Sequence, residues 1–161
     1  NCSNNYGPWQ YKDKLIPLVI NKCILKEKIP LYGDGLNVRD WLFVDDHCRA
    51  VDAVISNAEP GQKYCIGGNN EIRNIDLINT ICKQVDANAP KYDFKLKNIN
   101  SSKLIKFVPD RPGHDRRYAI DSSKILNDLN WDTKVNFEEG LLKTVRWYLE
   151  NKDWWEPLLT K

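Results

Sequence analysis

A chain of 161 residues with 42% hydrophobic side chains can bury a real core, which excludes an intrinsically disordered protein. Its 24 lysines and arginines exceed its 22 aspartates and glutamates by only 2, too small a surplus to mark a nucleic-acid or membrane surface. No apolar run is long enough to span a bilayer, and two histidines with no C-x-x-C pair leave no familiar zinc spacing.

Residues 1–11 are rich in Asn, Gly and Pro and read as a loop entering a helix near Lys12. From Leu15 to Leu25 the apolar positions form a band wider than one stripe, which predicts a helix with partners on more than one side. Pro30-Leu31-Tyr32 leads into a turn at Gly33-Asp34-Gly35, and residues 39–44 read as a short strand buried on both faces. Asp45 or Asp46 is placed to cap a helix carrying Cys48, Val51, Ile55 and Ala58, ended by Pro60-Gly61. Residues 63–66 read as a strand stopped by Gly67-Gly68. Asn74 caps a helix with Ile75, Ile78, Ile81, Cys82 and Val85 on one face. Residues 86–102 look polar and irregular, 104–108 form a strand, and Asp121 caps a helix through Leu129. Asn136 and Glu139 make a capping box ahead of the stripe Leu141, Leu142, Val145, Tyr148 and Leu149. The expected fold is mixed α/β and helix-rich with short strands, one domain over residues 1–161. The five cysteines, mostly in apolar runs, read as buried reduced thiols, and with no signal-peptide pattern the expected location is cytoplasmic. The absence of methionine suggests a piece of something longer.

Chemistry concentrates in residues 109–117, where Arg111, Arg116, Arg117, His114, Asp110 and Asp115 surround a turn containing Pro112 and Gly113. Two readings stand: a solvated loop with local Asp–Arg pairs, or a diphosphate clamp, since a guanidinium fork matches phosphate oxygens. Lys12, Lys14 and Arg39 interleaved with Trp9, Tyr11, Tyr32 and Trp41 could bind one diphosphate and stack one base, and without a basic surplus a single nucleotide is favoured over a polymer. There is no G-x-G-x-x-G, P-loop or G-x-S-x-G motif. Tyr148 and Lys152 have Tyr-x-x-x-Lys spacing, but Tyr148 belongs to the core stripe of the last helix.

With Ser3-Asn4-Asn5-Tyr6-Gly7-Pro8, Arg39-Asp40-Trp41 and residues 110–119 in view, the chain resembles the carboxy-terminal, substrate-binding portion of the dTDP-glucose 4,6-dehydratases. These are extended short-chain dehydrogenases/reductases of Rossmann fold. The resemblance implies that Asn4, Lys14, Leu15, Pro30, Leu31, Tyr32, Arg39, Asn70, Asp110, Arg111, Pro112, Gly113 and His114 bind the nucleotide sugar, and that Asn5 approaches NAD. It implies dTDP-glucose as substrate, NAD held mainly by an amino-terminal half without counterpart here, and a homodimer in the complete enzyme. The family's Thr-Asp-Glu group and Tyr-x-x-x-Lys pair are also without counterpart, so no catalytic residue is assigned and the isolated chain is expected to be inactive. A UDP-sugar dehydratase or epimerase, and a stand-alone nucleotide-sugar binding module, remain open alternatives.

Overall fold

The computed structural model describes residues 1–92 and 99–160. In chain order the elements are β1 (Asn4–Tyr6), α1 (Leu15–Leu25), β2 (Ile29–Tyr32), β3 (Val38–Phe43), α2 (Val44–Asn57), β4 (Glu71–Arg73) and α3 (Asn74–Asn88). There follow β5 (Ile105–Val108), β6 (Arg117–Tyr118), α4 (Ser123–Leu129), α5 (Phe137–Glu150) and α6 (Lys152–Trp155), with 3-10 turns at Ala89–Tyr92, Ser101–Leu104 and Glu156–Thr160. The fold is mixed α/β and helix-rich, with short strands.

β3 is the hub. Its second half pairs in parallel with β1, Asn4 opposite Trp41, while its first half lies between antiparallel β4 and parallel β6, with Arg39 opposite both Ile72 and Tyr118. Five of its six residues are buried, as a strand covered on both faces requires. A second parallel pair joins β2 to β5 from Ile29↔Ile105 to Tyr32↔Val108, bringing the turn after β2 beside the turn after β5.

The wide apolar band of α1 is used on several sides. Ile16, Val19, Ile20 and Cys23 are fully buried, and the helix packs against α3, α5 and β2. Pro17 sits in its first turn, where a missing N–H breaks no helical bond. α3 contributes Leu77, Ile78, Ile81, Cys82 and Val85 to the same core, and α5 adds Leu141, Val145, Tyr148 and Leu149 behind a cap in which Asn136 Oδ1 accepts from Glu139 N at 2.9 Å. Trp155 closes this core, donating Nε1–H to Tyr148 O. A smaller cluster gathers Leu42, Ala50, Tyr64, Ile66, Ile125 and Trp131.

Several expectations are corrected. Residues 1–11 contain β1, whose three residues are too few for a periodic signal. Residues 63–66 form a single bridge, Cys2↔Ile66, in place of a strand, while β4 and β6 were missed. Helix α3 runs on into 3-10 turns where irregular chain was expected; residues 93–98 of that stretch lie outside the described residues. On α2 the stripe of Cys48, Val51 and Ile55 is exposed, and Asp46 and Ala50 are buried instead. Asp46 is no cap: its carboxylate accepts from the Lys134 and Val135 amides and pairs with Arg49. The α3 cap falls at Arg73 and the α4 cap at Ser122, although Asp121 Oδ1 still accepts from Ser123 N. Of the five free cysteines only Cys23 and Cys82 are buried.

Candidate functional site

Strand geometry sets the first wall. Residues two apart on a strand share a face, so β3 presents Arg39 and Trp41 together. Arg39 is nearly buried and braced by its own strand and by the loop before β6, donating Nη1–H to Val38 O at 2.7 Å and Nη2–H to Asp115 O at 2.8 Å. Burial pushes its guanidinium below the usual arginine range, the Asp115 charge opposes this, and neighbouring Arg111 adds to it. A cation held against desolvation and a like charge is suited to an anionic partner.

The other walls come from helix starts and turns. The N-terminus of α1 supplies Lys14, Leu15 and, one turn on, Leu18; β2 ends at half-exposed Tyr32; α3 opens with Asn74; the turn after β5 supplies Arg111 and His114. Together with Asn4, Asp13 and Trp41 they enclose a cavity of about 430 Å³. Three cations, Lys14, Arg39 and Arg111, line it with one carboxylate, Asp13, whose Oδ2 lies 3.5 Å from Lys14 Nζ.

The turn of residues 109–114 is built in place. Gly33, at φ +57°, passes so close that an added Cβ would lie 2.9 Å from Asp110 Oδ2. Asp110 Oδ1 lies 2.6 Å from His114 Nδ1 and accepts from Arg111 N at 2.9 Å, and the His114 bond is the largest cause holding the Asp110 carboxyl below its usual range. The turn is tied to β3 through Asn37 Nδ2, which donates to Asp115 O, and through Val38 N, which donates to Arg116 O. Arg116 pairs with Asp34, and Arg117 forks onto both Glu71 oxygens at 2.6 and 2.7 Å.

The structure brings together Asn4, Lys14, Leu15, Tyr32, Arg39, Arg111 and His114. It does not bring Asn70 to the cavity: the side-chain amide is spent on Gly68 O and Trp41 O, and Asn74 stands at the wall. Leu31 faces the core from the opposite side of β2, and Pro30, Asp110, Pro112 and Gly113 are not among the lining residues. Asn5 also lies off the cavity, donating Nδ2–H to Ser3 O and accepting from Gln10 Nε2 at its backbone carbonyl. Sequence reading missed Asp13, Leu18 and Asn74, whereas Trp41, named from sequence beside Arg39 and Tyr32, does line the cavity. One of these carried a usable signal, since Leu18 is one helical turn from Lys14. Tyr148 OH, of the Tyr-x-x-x-Lys spacing, is buried and donates to Gln10 O. Among the described residues no His, Cys, Asp or Glu cluster could hold a metal ion, and no helix is long and apolar enough to cross a membrane.

A family model described as GDP-mannose 4,6 dehydratase matches residues 1–144. The chain belongs to that family. Within the GDP-mannose 4,6 dehydratase family its similarity is to dTDP-glucose 4,6-dehydratases. It is 50% identical over its whole length to a probable dTDP-glucose 4,6-dehydratase of Sinorhizobium fredii, of which it covers 44%. The Bacillus anthracis dTDP-glucose 4,6-dehydratase, solved in complex with NAD, superposes at a TM-score of 0.85 with 46% identity, covering 98% of this chain and 46% of that one. The Streptomyces venezuelae dTDP-glucose 4,6-dehydratase, also solved with NAD bound, gives 0.87 with 41% identity over 98% of this chain and 45% of that one. The chain thus spans under half the length of these family members.

Proposed function

We propose that this chain is the nucleotide-sugar-binding domain of an NAD-dependent dTDP-glucose 4,6-dehydratase, a lyase converting dTDP-glucose to dTDP-4-keto-6-deoxyglucose. The observation that carries the proposal is the convergence of Lys14, Arg39 and Arg111 on one cavity beside Tyr32. Three cations against one carboxylate suit a diphosphate, and Tyr32 offers a ring at the rim for a base. Each charge-assisted hydrogen bond to phosphate contributes about 1.5–3 kcal/mol net, so two or three supply about 3–9 kcal/mol of the roughly 8 that micromolar affinity needs, and burial of the nucleoside supplies the rest. Leu15, Leu18 and Trp41 supply the apolar lining that orients a nucleoside.

The sequence of this chain includes no glycine fingerprint, and Asn5 is the one residue of it proposed to approach NAD. NAD binding, the hydrogen transfers and the acid/base work are therefore assigned to the remainder of the complete protein, and the role proposed for these 161 residues is to hold and orient the substrate. Homodimerisation is likewise proposed for the complete protein only.

The test is an assay of the complete gene product with NAD and dTDP-, UDP- or CDP-glucose, following the 4-keto-6-deoxy sugar. The expected result is turnover with dTDP-glucose at a kcat/KM above that for the other two. Turnover of UDP-glucose to a 4-epimer, with none of dTDP-glucose, would reject it.

A further inference from the structure

Resting on the reading of the cavity as a nucleotide-diphosphate site, we infer that Asp110 is a positioning residue that acts through His114 without touching the ligand. His114 lines the cavity and Asp110 does not. The His114 side chain is only 6% exposed, whereas that of Asp110 is 43% exposed on the outer side of the turn. Between them lies a 2.6 Å contact from Asp110 Oδ1 to His114 Nδ1, and the same oxygen accepts from Arg111 N at 2.9 Å. One carboxylate oxygen thus grips the backbone of one lining residue and the ring of the other.

The consequence is chemical as well as steric. A ring nitrogen bonded to a carboxylate carries its proton there, so Nδ1–H is the donor and the tautomer is set. Nε2, which has no protein partner among the described residues, is then the nitrogen left for a ligand. A neutral ring offers a lone pair at Nε2, suited to a sugar or ribose hydroxyl, and a protonated ring offers an N–H, suited to a phosphate oxygen. With Nδ1 committed, the ring cannot flip to exchange the two nitrogens. Gly33 makes the arrangement specific to this turn, because its missing Cβ leaves room for the Asp110 carboxyl.

The experiment is a double-mutant cycle on the complete protein, with dTDP affinity measured by calorimetric titration for wild type, Asp110→Ala, His114→Ala and the double variant. Each single change is expected to weaken binding about 10-fold, and the double variant at most a few-fold further than His114→Ala alone, the few-fold reflecting the Arg111 N contact, a coupling of about 1 kcal/mol. Asp110→Asn keeps an acceptor oxygen for Nδ1–H and for Arg111 N, so it should retain affinity within about 3-fold of wild type. Losses that multiply to about 100-fold in the double variant would mean independent action and overturn the inference. An Asp110→Asn variant as weak as Asp110→Ala would also overturn it, since charge rather than orientation would then be the contribution. Failure of the wild-type protein to bind dTDP at all would reject the site reading and the positioning role together.

Discussion

Arg39 and Arg111 hold comparable charge in unlike settings. Arg39 is braced by two backbone carbonyls and buried to 9% exposure, while Arg111 stands exposed on the turn. Replacing Arg111 by alanine should therefore remove a ligand contact and little else. In the complete enzyme KM should rise about 10- to 100-fold, the range of a charged hydrogen bond, with kcat nearly unchanged; a fall in kcat at constant KM would place Arg111 in the chemical step. Asp40 works at the same scale for the fold. Its buried carboxylate accepts from Gly68 N at 2.8 Å and Asn70 N at 2.7 Å, so Asp40→Ala leaves two amides without their acceptor. A loss of about 3 kcal/mol in urea unfolding is expected.

Among the elements, β3 holds the site together, and its neighbours are fixed by close approach. A Cβ on Gly68 would lie 1.9 Å from Trp41 O, so Gly68→Ala should cost about 3 kcal/mol or prevent folding, read from the urea midpoint. The loop before β6 is held by exposed pairs as well as by the bonds from Asn37, Val38 and Arg39. Arg116 hydrogen-bonds Asp34 and Arg117 hydrogen-bonds Glu71, and these bonds are the largest cause depressing each carboxyl below its ordinary 3.8 or 4.5. A carboxyl depressed in the folded state stabilises above its unfolded pKa and loses that contribution as pH falls through its folded pKa. Amide protection factors in residues 109–117, corrected for the intrinsic exchange rate, should fall below about pH 4 and in high salt, and constant protection would refute the role of these pairs. How much of this was legible in the sequence follows from the same physics. α1, α3 and α5 carry long apolar repeats and were readable, and so was β3, whose second half opens the apolar run of residues 41–44. β1, β4 and β6 have two or three residues each and exist only because β3 pairs with them, a nonlocal fact. The α2 face was misread because Val51 and Ile55 satisfy the helical period as well as Ala50 and Val54 do; the buried Asp46, bound by the 134 and 135 amides, decided the rotation. At the site, Asn70 and Asn74 are both plausible in sequence, and only the hydrogen bonds of Asn70 tell them apart.

At the scale of the whole molecule, the core of α1, α3 and α5 is closed, but the outer face of α2 is not. Ile55 is 79% exposed and Val51 40%, beside a groove of about 400 Å³ reaching Tyr64 and Ile66. The isolated chain should form no 4-keto-6-deoxy sugar, since the proposed division of labour leaves it the substrate and not the chemistry. The central claim is that Arg39 and Arg111 hold a nucleotide diphosphate in the cavity between α1, β3 and the turn after β5. A crystal structure of the complete protein with dTDP-glucose tests it most directly. The account predicts phosphate oxygens within hydrogen-bond distance of both guanidiniums and the thymine ring beside Tyr32, whereas a ligand bound elsewhere, with both guanidiniums unengaged, would contradict it.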